Sequence, residues 1–149
     1  MKRSARSPVS RLVRVVAAGT FDGLHDGHRY YLHFAKRLGD HLTVIVARDH
    51  TVPLIKGKQT RLRERQRFAA VAALPWVNRV ILGGRVRKGH PKDRFRMLLR
   101  LKPDVICLGY DQDWLKKDIE EKVNRGLLPK VKLIQKTAHR PEELHSSLL

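Results

Sequence analysis

Gly19-Thr20-Phe21-Asp22-Gly23-Leu24-His25-Asp26-Gly27-His28 is the stretch that decides how this chain folds. Before it lies the β-rich run Leu12 to Ala18. After it, Tyr31, Leu32, Phe34, Ala35 and Leu38 form an apolar stripe at helical spacing that stops at Gly39. A strand, a glycine-marked turn and a helix start form the unit that places ligands at the carboxyl edge of an open α/β sheet. Glycine lets the backbone approach a phosphate closely, and the helix start offers unpaired N–H groups at a positive dipole end.

Working outward, the same alternation recurs. Leu42 to Ala47, Arg79 to Leu82, Asp104 to Leu108 and Val131 to Ile134 are further strand candidates. Helical patterns separate them. One runs through Phe68, Val71, Ala72 and Leu74 before Pro75, and another through Phe95, Leu98, Leu99 and Leu101 before Pro103. A third extends from about Trp114 to Arg125 and closes at Gly126. Five strands with intervening helices imply an α/β fold, a parallel sheet with helices on both faces. Residues 1–10, with Ser4, Ser7, Pro8 and Ser10 among positive charges, read as a basic mobile tail, leaving 11–149 as a single domain. The end is odd: Ser146-Ser147 looks like a helix N-cap, yet almost no helix follows before Leu149.

A chain of 149 residues with 42% hydrophobic content can build one core. It holds no apolar run of membrane-spanning length, and Arg11 and Arg14 flank Val15 to Ala18, so no membrane contact is expected and the protein reads as soluble and cytoplasmic. Cys107 is alone, which excludes an intramolecular disulfide and a cysteine-based zinc site; in the run Val105-Ile106-Cys107-Leu108 it reads as a small buried hydrophobe. The formal net charge of +18 attracts phosphates of any kind. Its clusters are Lys2 to Arg14, Lys56 to Arg67 and Arg85 to Lys102. They suit either a solvated surface or a nucleic-acid partner, and their lack of interleaved aromatics disfavours a stacking platform for single strands.

His25 and His28 are three residues apart. If the helix begins near Asp26, both imidazoles face its N-terminal end and can meet one polyphosphate. Two other readings stay open on spacing alone: the histidines cap the turn, or they join Asp22 at a metal. Other phosphate loops fail. No G-x-G-x-x-G follows the first strand, and Gly84-x-x-x-x-Gly89 continues with His90-Pro91 where a P-loop needs Lys and then Ser or Thr.

Thr20-Phe21-Asp22 followed by His25-Asp26-Gly27-His28 resembles the T-F-D-x-x-H-x-G-H signature of the cytidylyltransferase-like nucleotidyltransferases, from about Arg14 to Leu149. Val46-Ala47-Arg48-Asp49, Ile55-Lys56-Gly57-Lys58, Lys102-Pro103-Asp104-Val105 and Leu108-Gly109-Tyr110-Asp111-Gln112 look most like archaeal-type FAD synthases. The resemblance implies a Rossmann-like sheet and an enzyme that transfers AMP from ATP to FMN with release of pyrophosphate. The alternative within the superfamily is a cytidylyltransferase that joins CTP to glycerol 3-phosphate or a similar phospho-alcohol. A basic RNA- or ribonucleoprotein-binding protein on the same fold is the alternative of another class.

The resemblance further implies direct in-line attack by the acceptor phosphate on the α-phosphorus, with His25, His28 and Lys56 as catalytic groups. A phosphate monoester is largely ionised at neutral pH, its second pKa being ~6, so no general base is required. Thr20, Phe21, Asp26, Gly27, Asp111, Arg140, Ser146 and Ser147 match nucleotide-binding positions beside the two histidines, and Arg67 matches a phosphate-holding one. His145 stands where the family's C-terminal signature usually has a small hydroxyl residue. A divalent ion, Mg²⁺ by analogy, is expected with the nucleotide and without direct protein ligands. A homodimer is compatible with the resemblance, although no sequence feature fixes an interface.

Overall fold

The computed structural model describes residues 12–85, 87 and 95–137. The expectations for the tail at 1–10 and for Arg140, Ser146 and Ser147 fall outside these residues.

Five strands form one sheet: β1 (Arg14–Gly19), β2 (His41–Val46), β3 (Arg79–Leu82), β4 (Val105–Leu108) and β5 (Lys132–Gln135). Their order is β3-β2-β1-β4-β5, and all four pairings are parallel. The helices are α1 (Asp26–Lys36), α2 (Val52–Lys56), α3 (Glu64–Ala72), α4 (Phe95–Leu101) and α5 (Asp113–Asn124). This is the expected α/β architecture. Strand edges moved slightly from the sequence reading: Leu12 and Val13 precede β1 because its partner begins only at His41, opposite Arg14. Asp40 ties this entry down instead, its backbone N–H donating to the Val13 carbonyl and its carboxylate accepting from the Val13 N–H at 2.7 Å.

The sheet's period of two sorts side chains between two cores. Val15, Ala17, Leu42, Val44, Val46, Val105 and Cys107 pack on one face with Tyr31, Leu32 and Ala35 of α1 and Val71 of α3. Ile106 and Leu108 face the other way, against Ile119 of α5, Leu128 and the partly buried Leu98 of α4. Helices thus cover both faces, and every strand's carboxyl end emerges at one edge. Cys107 is 1% exposed and burial pushes its thiol up to about 12, so it is inert at neutral pH. Its carbonyl accepts the buried Tyr31 hydroxyl at 2.7 Å, which fastens α1 to the neighbour of its own strand.

α2 is an element the periodicity did not predict. Five residues are too few for a 3.6-residue pattern, but Pro53 in the first turn and Gly57 at φ 75° after the last bracket it. Lys56 is therefore the last residue of a helix. Among the described residues no helix is long and apolar enough to cross a membrane.

Candidate active site

β1 sits at the point where the strand order reverses, between β2 and β4. Its ladder with β2 continues to Gly19–Val46, whereas its ladder with β4 stops at Ala17–Cys107. Beyond that point Gln112 spans the gap, accepting the Gly109 N–H at 2.8 Å and donating to the Ala18 carbonyl at 3.1 Å. A crevice outside the strands' carboxyl ends at such a reversal is the ligand position that α/β topology favours.

The turn that follows β1 is held in a demanding conformation. Phe21 has φ 54°, uncommon for a bulky residue, and is 2% exposed. Its ring folds back over Gly19, where a Cβ would lie 2.9 Å from the ring, so glycine is required there. Asp22 fixes the next segment: its two carboxylate oxygens accept the Arg61 and Leu62 backbone N–H groups, each at 2.8 Å. Those bonds, led by the one from Arg61, hold the carboxyl below its usual range. Both oxygens are engaged in positioning residues 61 and 62.

The helix does begin at Asp26, with His25 as its N-cap. His25 Nδ1 accepts the His28 N–H at 3.4 Å and His28 Nδ1 accepts the His25 N–H at 3.3 Å, a reciprocal capping box built from two imidazoles. The rings stack with centroids 3.7 Å apart, and the Phe21 ring meets His28 edge-on at 5.4 Å. Capping and ligand binding are therefore compatible: with Nδ1 turned to the backbone, each ring offers its Nε2–H away from the helix. Burial, followed by the charges of His25 and Lys56, lowers the His28 imidazole to about 4, so it is a neutral donor at pH 7.

One cavity of about 620 Å³ collects these groups. Thr20, Phe21, His25, Gly27, His28, Lys56 and Asp111 all line it, drawn from the ends of β1, α2 and β4. Arg48, Lys58, Arg61, Lys136, Tyr110 and Trp114 line it too, and none of them is among the site residues expected from the sequence. For Arg48 a signal existed in its place after β2; its Nε donates to the Gly83 carbonyl at 2.6 Å, joining the ends of β2 and β3. Lys136 also lies over the Tyr30 and Phe34 rings, at 5.8 and 5.7 Å, a contact no sequence spacing signals.

Two expected residues lie elsewhere. Asp26 is exposed, is not on the cavity wall, and faces Arg29 at 3.5 Å, as first-turn acids do. Arg67, expected to hold phosphate, is 0% exposed and is the fourth residue of α3. Its guanidinium donates to the carbonyls of Leu62 at 3.0 Å, Thr20 at 2.8 Å and Ala47 at 2.7 Å, and to Asp49 Oδ1 at 2.7 Å. It gathers the ends of β1 and β2 rather than facing the cavity, a role spacing could not reveal because it depends on two distant carbonyls, of Thr20 and Ala47, converging.

The cytidylyltransferase-like family model matches residues 16–149. A FAD synthase of Methanosarcina mazei is 46% identical over 123 residues, 83% of this chain and 76% of its own length. A FAD synthase of Thermoplasma volcanium is 40% identical over 126 residues, 84% of each chain. Among solved structures, the lipopolysaccharide core biosynthesis protein from Thermoplasma volcanium superposes with a TM-score of 0.75 at 38% identity, covering 87% of this chain and all of its own. The pantoate-beta-alanine ligase from Francisella tularensis, at 15% identity and a TM-score of 0.61, covers 99% of this chain and 69% of its own and shares the fold alone.

Proposed function

The chain belongs to the cytidylyltransferase-like family, and on that premise we propose that it is an FAD synthase, an adenylyltransferase that joins AMP from ATP to FMN and releases pyrophosphate. The observation that carries this reading is the stacked His25–His28 pair at the mouth of the strand-reversal crevice, in a chain whose relatives named FAD synthase span most of its length.

The chemistry needs no covalent intermediate. An oxygen of the FMN phosphate attacks the α-phosphorus of ATP, a P–O bond forms, and the bond to the β-phosphate breaks in line with it. Pyrophosphate carries away the electron pair. The Nε2–H groups of His25 and His28 donate to the non-bridging oxygens as charge builds on them, preorganised by the backbone N–H groups that fix their Nδ1 atoms. Lys56 supplies a positive charge on the same wall. The N-terminus of α1, with Gly27 close behind, suits phosphate oxygens, and Asp111 suits a nucleoside hydroxyl. Catalysis then rests on positioning and electrostatics.

A divalent ion fits this site as a passenger of the triphosphate. Among the described residues no three His, Cys, Asp or Glu side chains converge, so the phosphate oxygens themselves would hold it. Bound that way, a divalent ion such as Mg²⁺ would supply positive charge to offset that of the phosphates.

Purified protein offered ATP or CTP with FMN or glycerol 3-phosphate separates the candidates by pyrophosphate release. The expected result is release with ATP and FMN, matched one for one by FAD. Turnover of CTP with glycerol 3-phosphate, independent of FMN, would replace this reading with the cytidylyltransferase one.

A further inference from the structure

If the ladder between β1 and β4 continued past Ala17–Cys107, the end of β1 would bond directly to the backbone that follows β4. Instead the side-chain amide of Gln112 stands between them like an inserted peptide unit. Its Oε1 accepts the Gly109 N–H at 2.8 Å and its Nε2 donates to the Ala18 carbonyl at 3.1 Å. The two backbones are joined there through an amide rather than to each other, at the mouth of the crevice. Gly109 is gripped on its other side as well: its carbonyl accepts the Gln112 N–H and the Gln135 Nε2, each at 3.1 Å, and Gln135 also donates to Asp113 Oδ1 at 2.7 Å. Asp111 leans back over this held glycine, since a Cβ on Gly109 would lie 3.2 Å from Asp111 Oδ1.

We infer that Gln112, backed by Gln135, is a positioning residue for the nucleotide, a spacer that fixes the separation of the ends of β1 and β4 and the direction in which Asp111 meets the cavity. The inference rests on the proposed placement of a nucleotide in this crevice, and it gives Gln112 no contact with the reacting atoms. Without the spacer, the half-buried Gly109 N–H and Ala18 carbonyl lose their partners. Bonding to each other in its place would narrow the crevice.

Gln112→Glu tests this, because a carboxylate still accepts the Gly109 N–H but sets a negative oxygen against the Ala18 carbonyl, whereas the protonated acid again supplies a donor. At about pH 8 the variant is expected to raise the KM for ATP about tenfold, the scale of one buried polar group left without its partner, with the KM for FMN within about twofold of the parent. The Ala18 carbonyl and the Asp111 carboxylate both disfavour the charged form of the introduced carboxyl, so it takes up its proton above the ordinary glutamate range. At about pH 5.5 the ratio of variant to parent ATP dissociation constants, measured by calorimetry without turnover, should therefore fall towards one. Gln66→Glu is the control: it adds the same charge off the cavity wall, keeps its acceptor for the Arg63 N–H, and should change neither constant. A rise in the KM for FMN in place of ATP, a lower kcat at unchanged KM, no change at all, or an ATP deficit as large at low pH as at high overturns the inference while the FAD synthase reading stands. If the parent turns over CTP in place of ATP, that reading falls, and the same measurements made with CTP decide the inference. Should Gln112→Glu not fold, Gln135→Met removes the second grip on Gly109 and should raise the KM for ATP about threefold or more; an unchanged value overturns the proposal.

Discussion

Replacing His28 by alanine removes one Nε2–H donor from the proposed phosphate seat and should lower the rate of FAD formation by about a hundredfold or more, the scale of losing a single transition-state donor. The same change deletes half of the imidazole capping box, so it should also cost ~1 kcal/mol in urea unfolding. Equal rates in variant and parent would place that ring away from the reacting phosphorus. The lowered value of His28, about 4 against an ordinary 6.5, has two measurable consequences. Between these values the unfolded chain binds the proton and the folded chain does not. The stability it contributes is therefore complete above about pH 6.5 and lost as pH falls towards about 4. Denaturation midpoints across that range should fall less in His28→Gln than in the parent. In an NMR titration the His28 ring should have its midpoint near 4 without nucleotide, and ATP should move it upward because nearby negative charge favours the imidazolium form.

Among the elements, α3 matters to the site through one buried side chain. Arg67 holds the carbonyls of Thr20 and Ala47 where β1 and β2 end, and so sets the spacing of the two segments that bring in Phe21 and Arg48. Arg67→Met should cost ~3 kcal/mol in urea unfolding, because three carbonyls and Asp49 lose their donor at once. A phosphate-binding arginine would behave differently, raising the KM for ATP with little change in stability. The contrast with Lys56 is instructive. Both fall in the basic run Lys56 to Arg67, yet α2 leaves Lys56 exposed on the cavity wall while α3 turns Arg67 inward. Sequence showed two cations in one basic run; only the direction each helix faces decides which one lines the cavity.

For the molecule as a whole, the +18 charge is the dominant long-range property. It should draw in ATP and FMN, both anionic, and the effect should fade with salt. Raising ionic strength from about 0.05 M to about 0.5 M shortens the screening length from roughly 14 Å to roughly 4 Å. The KM for ATP should rise across that range with kcat changed little. RNA binding that weakens steeply with salt, in a protein that turns over no nucleotide, would instead assign the charge to a polyanion partner.

What the sequence determined by itself was the sheet, its parallel sense and the turn and helix start that follow its first strand. These follow from local physics: β-rich runs alternating with helical patterns, glycines at helix ends, and a Gly-Thr-Phe-Asp turn leading into His-x-x-His at a helix start. Tertiary structure decided what depends on distant partners. It put Asp22 on the backbone of residues 61 and 62, buried Arg67 among carbonyls from three segments, and turned Asp26 away from the cavity. A side chain's spacing says which turn of the chain it rides on, but its task is fixed by which carbonyls, cations and apolar walls the fold carries to within a few ångströms of it.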